Sequence, residues 1–185
     1  MSKLNQSPIA SAQTTARHPM FEVSATLDLE EIRVDMAEMK TETKPAEFVA
    51  CVGSCIALCL YDSLGKCGGM AHIMLPQAST FQGENLPAKF ADTAVPALAN
   101  AMRKLNTGCI LSAKIAGGAN MFPNIRTYNI AIGTKNADSV KAALALQKIP
   151  LRGEDIGGTQ GRKVTFDSQT GRATVRFING EVRQL

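Results

Sequence analysis

Two apolar runs flank one short polar segment in the first half of the chain. Cys55-Ile56-Ala57-Leu58-Cys59-Leu60-Tyr61 leads into Asp62-Ser63-Leu64-Gly65-Lys66, and Cys67-Gly68-Gly69-Met70-Ala71-His72 leads out of it. A turn over 62–66 folds runs of this length into an antiparallel hairpin, and pairing about the 63/64 midpoint sets Cys55 opposite His72. Residues opposite one another in such a ladder hold their Cβ atoms about 4.5–5.5 Å apart. A thiol that close to an imidazole can give up its proton, leaving a nucleophilic thiolate beside an imidazolium that later protonates a leaving group. That is the minimum apparatus for acyl transfer at an amide. Residue types alone leave a second reading open, in which Cys55 packs as a small hydrophobe and His72 is a satisfied core residue.

The rest of the chain reads as a mixed fold. Strand-like runs fall near 21–27, 31–35, 46–52, 55–61, 68–75, 109–115, 126–132, 162–166 and 172–178, the last two joined by Asp167-Ser168-Gln169-Thr170-Gly171. One helix is expected from Asp92 to Leu105, with Val95, Leu98, Met102 and Leu105 on one stripe and Asp92 as N-cap. Pro96 then occupies the fourth helical position, next to the first-turn positions whose backbone N–H groups have no acceptor within the helix. A second helix is expected over 137–148, capped by Asn136 and ended by Pro150. Many strands with two helices predict an α+β single-domain layered sandwich of mainly antiparallel sheets, helices on one side. Residues 1–20, rich in Ser, Thr, Ala and Gln, read as a disordered N-terminal extension ahead of a domain over 21–185.

Composition narrows the function. At 185 residues and 45% hydrophobic the chain can bury a sizeable core. It has no Trp and only two Tyr, which argues against an aromatic cage or a base-stacking platform, and a net charge of +4 is small for a nucleic-acid binder. The charge is uneven. Glu22, Asp28, Glu30, Glu31, Asp35, Glu38, Glu42 and Glu47 outnumber Arg33, Lys40 and Lys44, whereas Arg162, Lys163, Arg172, Arg176 and Arg183 dominate the tail, a bias able to steer an acidic protein partner. Five cysteines cannot all pair and a working thiol must stay reduced, so a cytoplasmic location is expected. No segment has the length and apolarity of a membrane span or of a signal-peptide core. Cys51, Cys55 and Cys59 recur every fourth residue, but this is not a cluster-binding spacing, and no metal is expected. The pairs Gly117-Gly118 and Gly157-Gly158 lack the further residues of a phosphate loop and read as turns flanking a cleft.

The stretch Val52-Gly53-Ser54-Cys55-Ile56-Ala57-Leu58-Cys59-Leu60-Tyr61-Asp62, followed by Gly68-Gly69-Met70-Ala71-His72-Ile73-Met74-Leu75-Pro76, closely resembles the signature of the chemoreceptor glutamine deamidases, the CheD family of chemotaxis proteins. Lys89-Phe90-Ala91-Asp92-Thr93-Ala94-Val95, Lys114-Ile115-Ala116-Gly117-Gly118-Ala119-Asn120-Met121-Phe122, Ile132-Gly133-Thr134-Lys135-Asn136 and Glu154-Asp155-Ile156-Gly157-Gly158 resemble further blocks of that family, in the same order, so that the likeness runs from about Ile32 to about Ile178.

The resemblance implies Cys55 as nucleophile and His72 as its base, hydrolysing glutamine side chains of chemoreceptors to glutamate through a cysteine thioester, with no cofactor. Gly53 and Ser54 are expected to bring backbone N–H groups to the oxyanion, and Asn120, Met121 and Phe122 to form the rim of a shallow cleft. The family often carries a threonine five or six residues before the cysteine that orients the histidine; here those positions are Ala50 and Val49. Thr41, Thr43, Asn120, Asn124 or a backbone carbonyl are the substitutes on offer. The resemblance also implies a CheC-type phosphatase as partner. Two alternatives follow from the missing threonine and from the shared thioester chemistry: a weakly active or inactive binding module that regulates the phosphatase, and a thiol amidase or esterase acting on receptor side chains.

Overall fold

The computed structural model describes residues 29–80, 86–121 and 132–185, and these form two five-stranded sheets with two helices. In chain order the strands are β1 (Glu30–Arg33), β2 (Met39–Glu42), β3 (Ala46–Val52), β4 (Ile56–Asp62), β5 (Cys67–Ile73), β6 (Leu111–Gly117), β7 (Leu151–Ile156), β8 (Arg162–Asp167), β9 (Ala173–Phe177) and β10 (Val182–Gln184). Helix α1 spans Ala91–Leu105 and helix α2 Ile132–Leu146. The first sheet has the order β1-β3-β8-β9-β10 and the second β2-β5-β4-β6-β7. All pairings are antiparallel except β1 with β3 and β6 with β7. The expected α+β sandwich is therefore what forms.

The second sheet is the middle layer, which explains why β4 and β5 are apolar at nearly every position: a strand covered on both faces cannot alternate with polar residues. Ile56, Leu58 and Leu60 point to the helices, where they meet Val95, Leu98 and Met102 of α1 and Val140 and Leu144 of α2. Ala57 and Cys59 point the other way, against Phe48, Val52, Val164 and Phe166 of the first sheet. Each large side chain buried in these layers contributes roughly 1.5–3 kcal/mol relative to exposure. Gly68 and Gly69 leave no room for a side chain between the layers: a Cβ on Gly68 would stand 2.7 Å from the Phe166 ring of the first sheet and one on Gly69 would stand 3.0 Å from Leu98 Cδ1 of α1.

Three expectations are corrected. The hairpin turns one residue later than predicted, because Asp62 is the last rung of β4, paired with Cys67, and its carboxylate accepts from the N–H groups of Leu64 and Gly65 inside a four-residue turn. Ala57 thus stands opposite His72, and Ile56 opposite Ile73. Helix α1 starts at Ala91 after Phe90, so Asp92 lies inside it and accepts from the Ala78 N–H, while Pro96 sits in the interior. Helix α2 begins five residues before the expected 137, with Asn136 within it rather than capping it. The run at 126–132 contributes only Ile132, the first residue of α2; its remainder, the run at 21–27 and residues 1–20 lie outside the described residues. Strands β2, β7 and β10 were not foreseen. Among the described residues no helix is long and apolar enough to cross a membrane.

Candidate active site

Gly53, Ser54 and Cys55 form the short connection between β3, in the first sheet, and β4, in the second. The chain has to cross between layers here, and the β6 end holds it in place. The Cys55 carbonyl accepts from the Gly118 N–H at 2.9 Å and the Gly53 carbonyl accepts from the Ala119 N–H at 2.8 Å. Gly117 makes this possible: its φ is +127°, and a Cβ there would come within 2.1 Å of the Cys55 oxygen. Asn136 of α2 donates through Nδ2 to the Ser54 carbonyl at 3.0 Å and to the Met74 carbonyl at 2.8 Å. All three carbonyls of the connection are thereby turned into the protein. Cys55 itself is half-buried and packs against the cluster between the sheets.

His72 lies on β5 with 4% of its surface exposed. It shares a face with Ala57, its partner across the ladder, and so with Cys55, two residues before Ala57. The pair is diagonal rather than directly opposite, with Cys55 just beyond the last rung at Ile56. His72 Nδ1 lies 3.3 Å from the Val34 carbonyl oxygen. A carbonyl only accepts, so Nδ1 carries the proton and Nε2 keeps its lone pair. The segment that supplies Val34 is bonded to the His72 backbone on both sides: the His72 N–H donates to the Glu38 carbonyl and the Ala37 N–H to the His72 carbonyl. Ala37 has a φ of +61°, a tight reversal that lets both bonds form.

Burial dominates the titration of both groups. It pushes the Cys55 thiol above its usual value, opposed by the residue's own N–H, which faces the sulfur. It pushes His72 below the usual imidazole value, opposed by the Val34 carbonyl and by the charge of Asp35. A resting thiolate–imidazolium pair is therefore disfavoured. The arrangement suits an imidazole that removes the thiol proton only as the sulfur attacks.

The other expected residues divide. Met121 covers Gly53, whose added Cβ would stand 3.0 Å from its Sδ, and is 41% exposed, a position fit for a rim. The Asn120 N–H is bonded to the Gly158 carbonyl, joining the two glycine turns. Phe122 and Asn124 lie outside the described residues. Val49 and Ala50, the two positions at which the family threonine would fall, both line a cleft of about 490 Å³ that also reaches His72, Asp35 and Cys51; Cys55 is not among its lining residues. Thr41 faces α1 beside Gly69 and Leu98 and does not approach His72. Cys55 and Cys59 pack on the same side, toward the first sheet, whereas Cys51 on β3 is exposed; Cys55 is half-buried and Cys59 sealed between the sheets, its thiol pushed up to about 12 by burial. Val34, Ala37, Glu38 and Asn136 were not picked out for these contacts. Asn136 had a signal, a polar residue on the stripe Gly133, Asn136, Ala137, Val140, Ala143 and Leu144 that α2 buries. The 34–38 segment had none.

Comparison with known proteins gives a consistent set of matches. The profile of the family described as "CheD chemotactic sensory transduction" matches residues 74–177. A Clostridium novyi protein named "Probable chemoreceptor glutamine deamidase CheD" is 38% identical over 164 residues, covering 86% of this chain and 100% of that protein. Proteins of the same name from Clostridium acetobutylicum and Clostridium botulinum strain Hall are 38% and 39% identical over 161 and 162 residues, covering 85% and 86% of this chain and 97% and 100% of theirs.

Proposed function

This chain belongs to the CheD family, and we propose that it is a protein-glutamine deamidase acting on chemoreceptors, with Cys55 as nucleophile and His72 as general base. The observation that supports the pair is their common face between the sheets together with the Nδ1–H bond to Val34, which leaves Nε2 free as a base. As the sulfur attacks the glutamine side-chain carbonyl carbon, Nε2 takes the thiol proton; the imidazolium then gives it to the departing ammonia, leaving a thioester. Water, deprotonated by His72, attacks the thioester carbonyl and releases glutamate and the thiol. Both tetrahedral intermediates carry an oxyanion, and one donor lost to such a charge costs about 3–4 kcal/mol of barrier. With the carbonyls of 53–55 anchored inward, the N–H groups of Ser54 and Cys55 are the candidates to meet it.

The absent family threonine does not favour the inactive alternative, since the Val34 carbonyl offers the orienting acceptor that the side chains of Val49 and Ala50 cannot. The substrate we propose is a surface glutamine on a receptor's cytoplasmic helix, reached in the cytoplasm, with a CheC-type phosphatase as a further partner. Mass spectrometry of purified receptor fragments tests this. Wild type should produce the small mass gain that replaces an amide NH₂ by OH, Cys51→Ser should do so equally, and Cys55→Ala should not. Indistinguishable behaviour of wild type and Cys55→Ala would remove Cys55 from the chemistry. Phosphatase binding without any mass gain would favour the regulatory module, and loss of a methylene from methylated receptor would favour an esterase.

A further inference from the structure

Asn136 is completely buried, and its Oδ1 has no hydrogen-bond partner among the described residues. Nothing is gained by turning the carboxamide over, because both groups facing Nδ2 are carbonyls and only the NH₂ end can donate to them. A residue that keeps an orphan acceptor in the interior to place two donors is being used for those donors.

The two carbonyls belong to the two halves of the proposed site. Ser54 precedes Cys55, and Met74 follows β5 two residues after His72. The β4–β5 ladder ends at Ile56–Ile73, so Asn136 supplies the next tie where backbone pairing has stopped. Of the three consecutive carbonyls at Gly53, Ser54 and Cys55, the outer two are held by backbone N–H groups of the 117–119 turn, and the middle one, among the described residues, by Asn136 alone. The Ser54 carbonyl shares its peptide plane with the Cys55 N–H, and in a trans peptide the two point in opposite directions. Holding one inward aims the other outward. That N–H belongs to the residue whose sulfur attacks, and is the main-chain donor next to the oxyanion such an attack would form.

Resting on the deamidase reading above, we infer that Asn136 is a positioning residue for the oxyanion donor: by anchoring the Ser54 carbonyl to the end of the His72 strand, it fixes the 54–55 peptide with the Cys55 N–H directed at the reacting carbonyl. It touches no substrate, and its influence passes through one peptide plane.

Two reactions of the same sulfur separate this role from a structural one. Deamidation builds negative charge on oxygen; alkylation of Cys55 by iodoacetamide displaces iodide from carbon and builds none. Asn136→Asp keeps the shape but presents oxygens to both carbonyls. It should lower kcat for deamidation of a receptor fragment by roughly 100-fold, the scale of a lost oxyanion donor, with KM changed by less than about 3-fold. The rate of Cys55 alkylation, followed on the Cys55 peptide, should stay within about 3-fold of wild type. If Asn136→Asp does not fold, Asn136→Ser, able to donate one hydrogen, should show the same split with a fall of about tenfold. Equal falls in both reactions, or undiminished deamidation, would overturn the inference while leaving the deamidase reading intact. Wild type that deamidates nothing would overturn both.

Discussion

His72 donates its Nδ1 proton to the backbone carbonyl of Val34, 3.3 Å away, so the imidazole is oriented by main chain. A carbonyl fixes the tautomer as a hydroxyl or carboxylate would but carries no full charge, and burial lowers the His72 pKa by more than the Val34 carbonyl and the charge of Asp35 raise it. The acidic limb of kcat/KM should therefore have its midpoint below the unperturbed histidine value of about 6.5. Alkylation of Cys55 should reach half its maximal rate above the free-thiol value of about 8.5, since burial raises that group. Rapid labelling at pH 6 to 7 would mean a preformed thiolate and would contradict the neutral pair. The same shift acts on stability. The folded imidazole binds its proton less readily than the unfolded one, so its contribution is intact above about pH 6.5 and is lost as pH falls through the folded value. Urea titrations of His72→Gln should accordingly show a flatter decline in stability across that window.

Gly117 couples the fold to the nucleophile. Its φ of +127° is a conformation that side chains rarely adopt, and the Cβ of Gly117→Ala would collide with the Cys55 carbonyl. The backbone strain alone costs about 1–3 kcal/mol, and relief requires the 53–55 connection to move. Gly117→Ala should thus lower the melting temperature and reduce deamidation by more than the unfolded fraction explains. Full activity per folded molecule, measured with circular dichroism alongside, would show that the connection tolerates the displacement.

Much of this was legible because the hydrophobic pattern of β3, β4, β5, β8 and β9 is set by the layers that bury them: β8 alternates between a buried and a more exposed face, and β4 and β5, covered on both faces, read as continuous apolar runs. The hairpin register was missed by a single assignment. Asp62 looks like a turn residue by composition, but its carboxylate serves the turn from within the strand. Moving it from turn to ladder changes Cys55 from opposite His72 to diagonal. Strands β2, β7 and β10 escaped notice because they are short or half-exposed, and their burial patterns hold few apolar residues. The Val34 carbonyl could not be found at all, since main-chain atoms leave no mark on residue identity.

Asp62 itself yields a stability prediction remote from the chemistry. It is fully buried at the closed end of the hairpin and accepts from Asn106 Nδ2 at 2.7 Å, the Ile110 N–H at 2.9 Å and the N–H groups of Leu64 and Gly65. Burial alone would raise its pKa, but the hydrogen bonds from Asn106, Ile110, Leu64 and Gly65 outweigh it, and the carboxyl titrates below its usual value. Its stabilisation is complete above about pH 4 and is lost as pH falls through the lowered folded value. Asp62→Ala strands four donors and should cost about 2–4 kcal/mol in urea unfolding at pH 7. The penalty should shrink under strongly acidic conditions, while kcat of the folded fraction stays unchanged. A pH-independent penalty would assign the effect to packing.

Asp155 closes the opposite side of the molecule. Its carboxylate, buried on β7, takes both the buried Arg162 guanidinium of β8 and the more exposed Arg183 of β10, Oδ2 lying 2.8 Å from Arg183 Nη1. The two guanidinium groups sit over the Phe177 ring at 5.0 and 4.8 Å. One carboxylate therefore ties the edge of the second sheet to two strands of the first. Removing one member of a buried pair leaves the other charge uncompensated, a loss of about 3–5 kcal/mol. Asp155→Ala should fall in that range, and Arg183→Ala, which takes away the exposed partner, should cost no more than about 1 kcal/mol. Arg162 carries the difference, because its guanidinium is left without a counterion only in the first variant. Equal costs for the two variants in parallel urea titrations would show instead that both arginines contribute through their stacking on Phe177 rather than through the carboxylate.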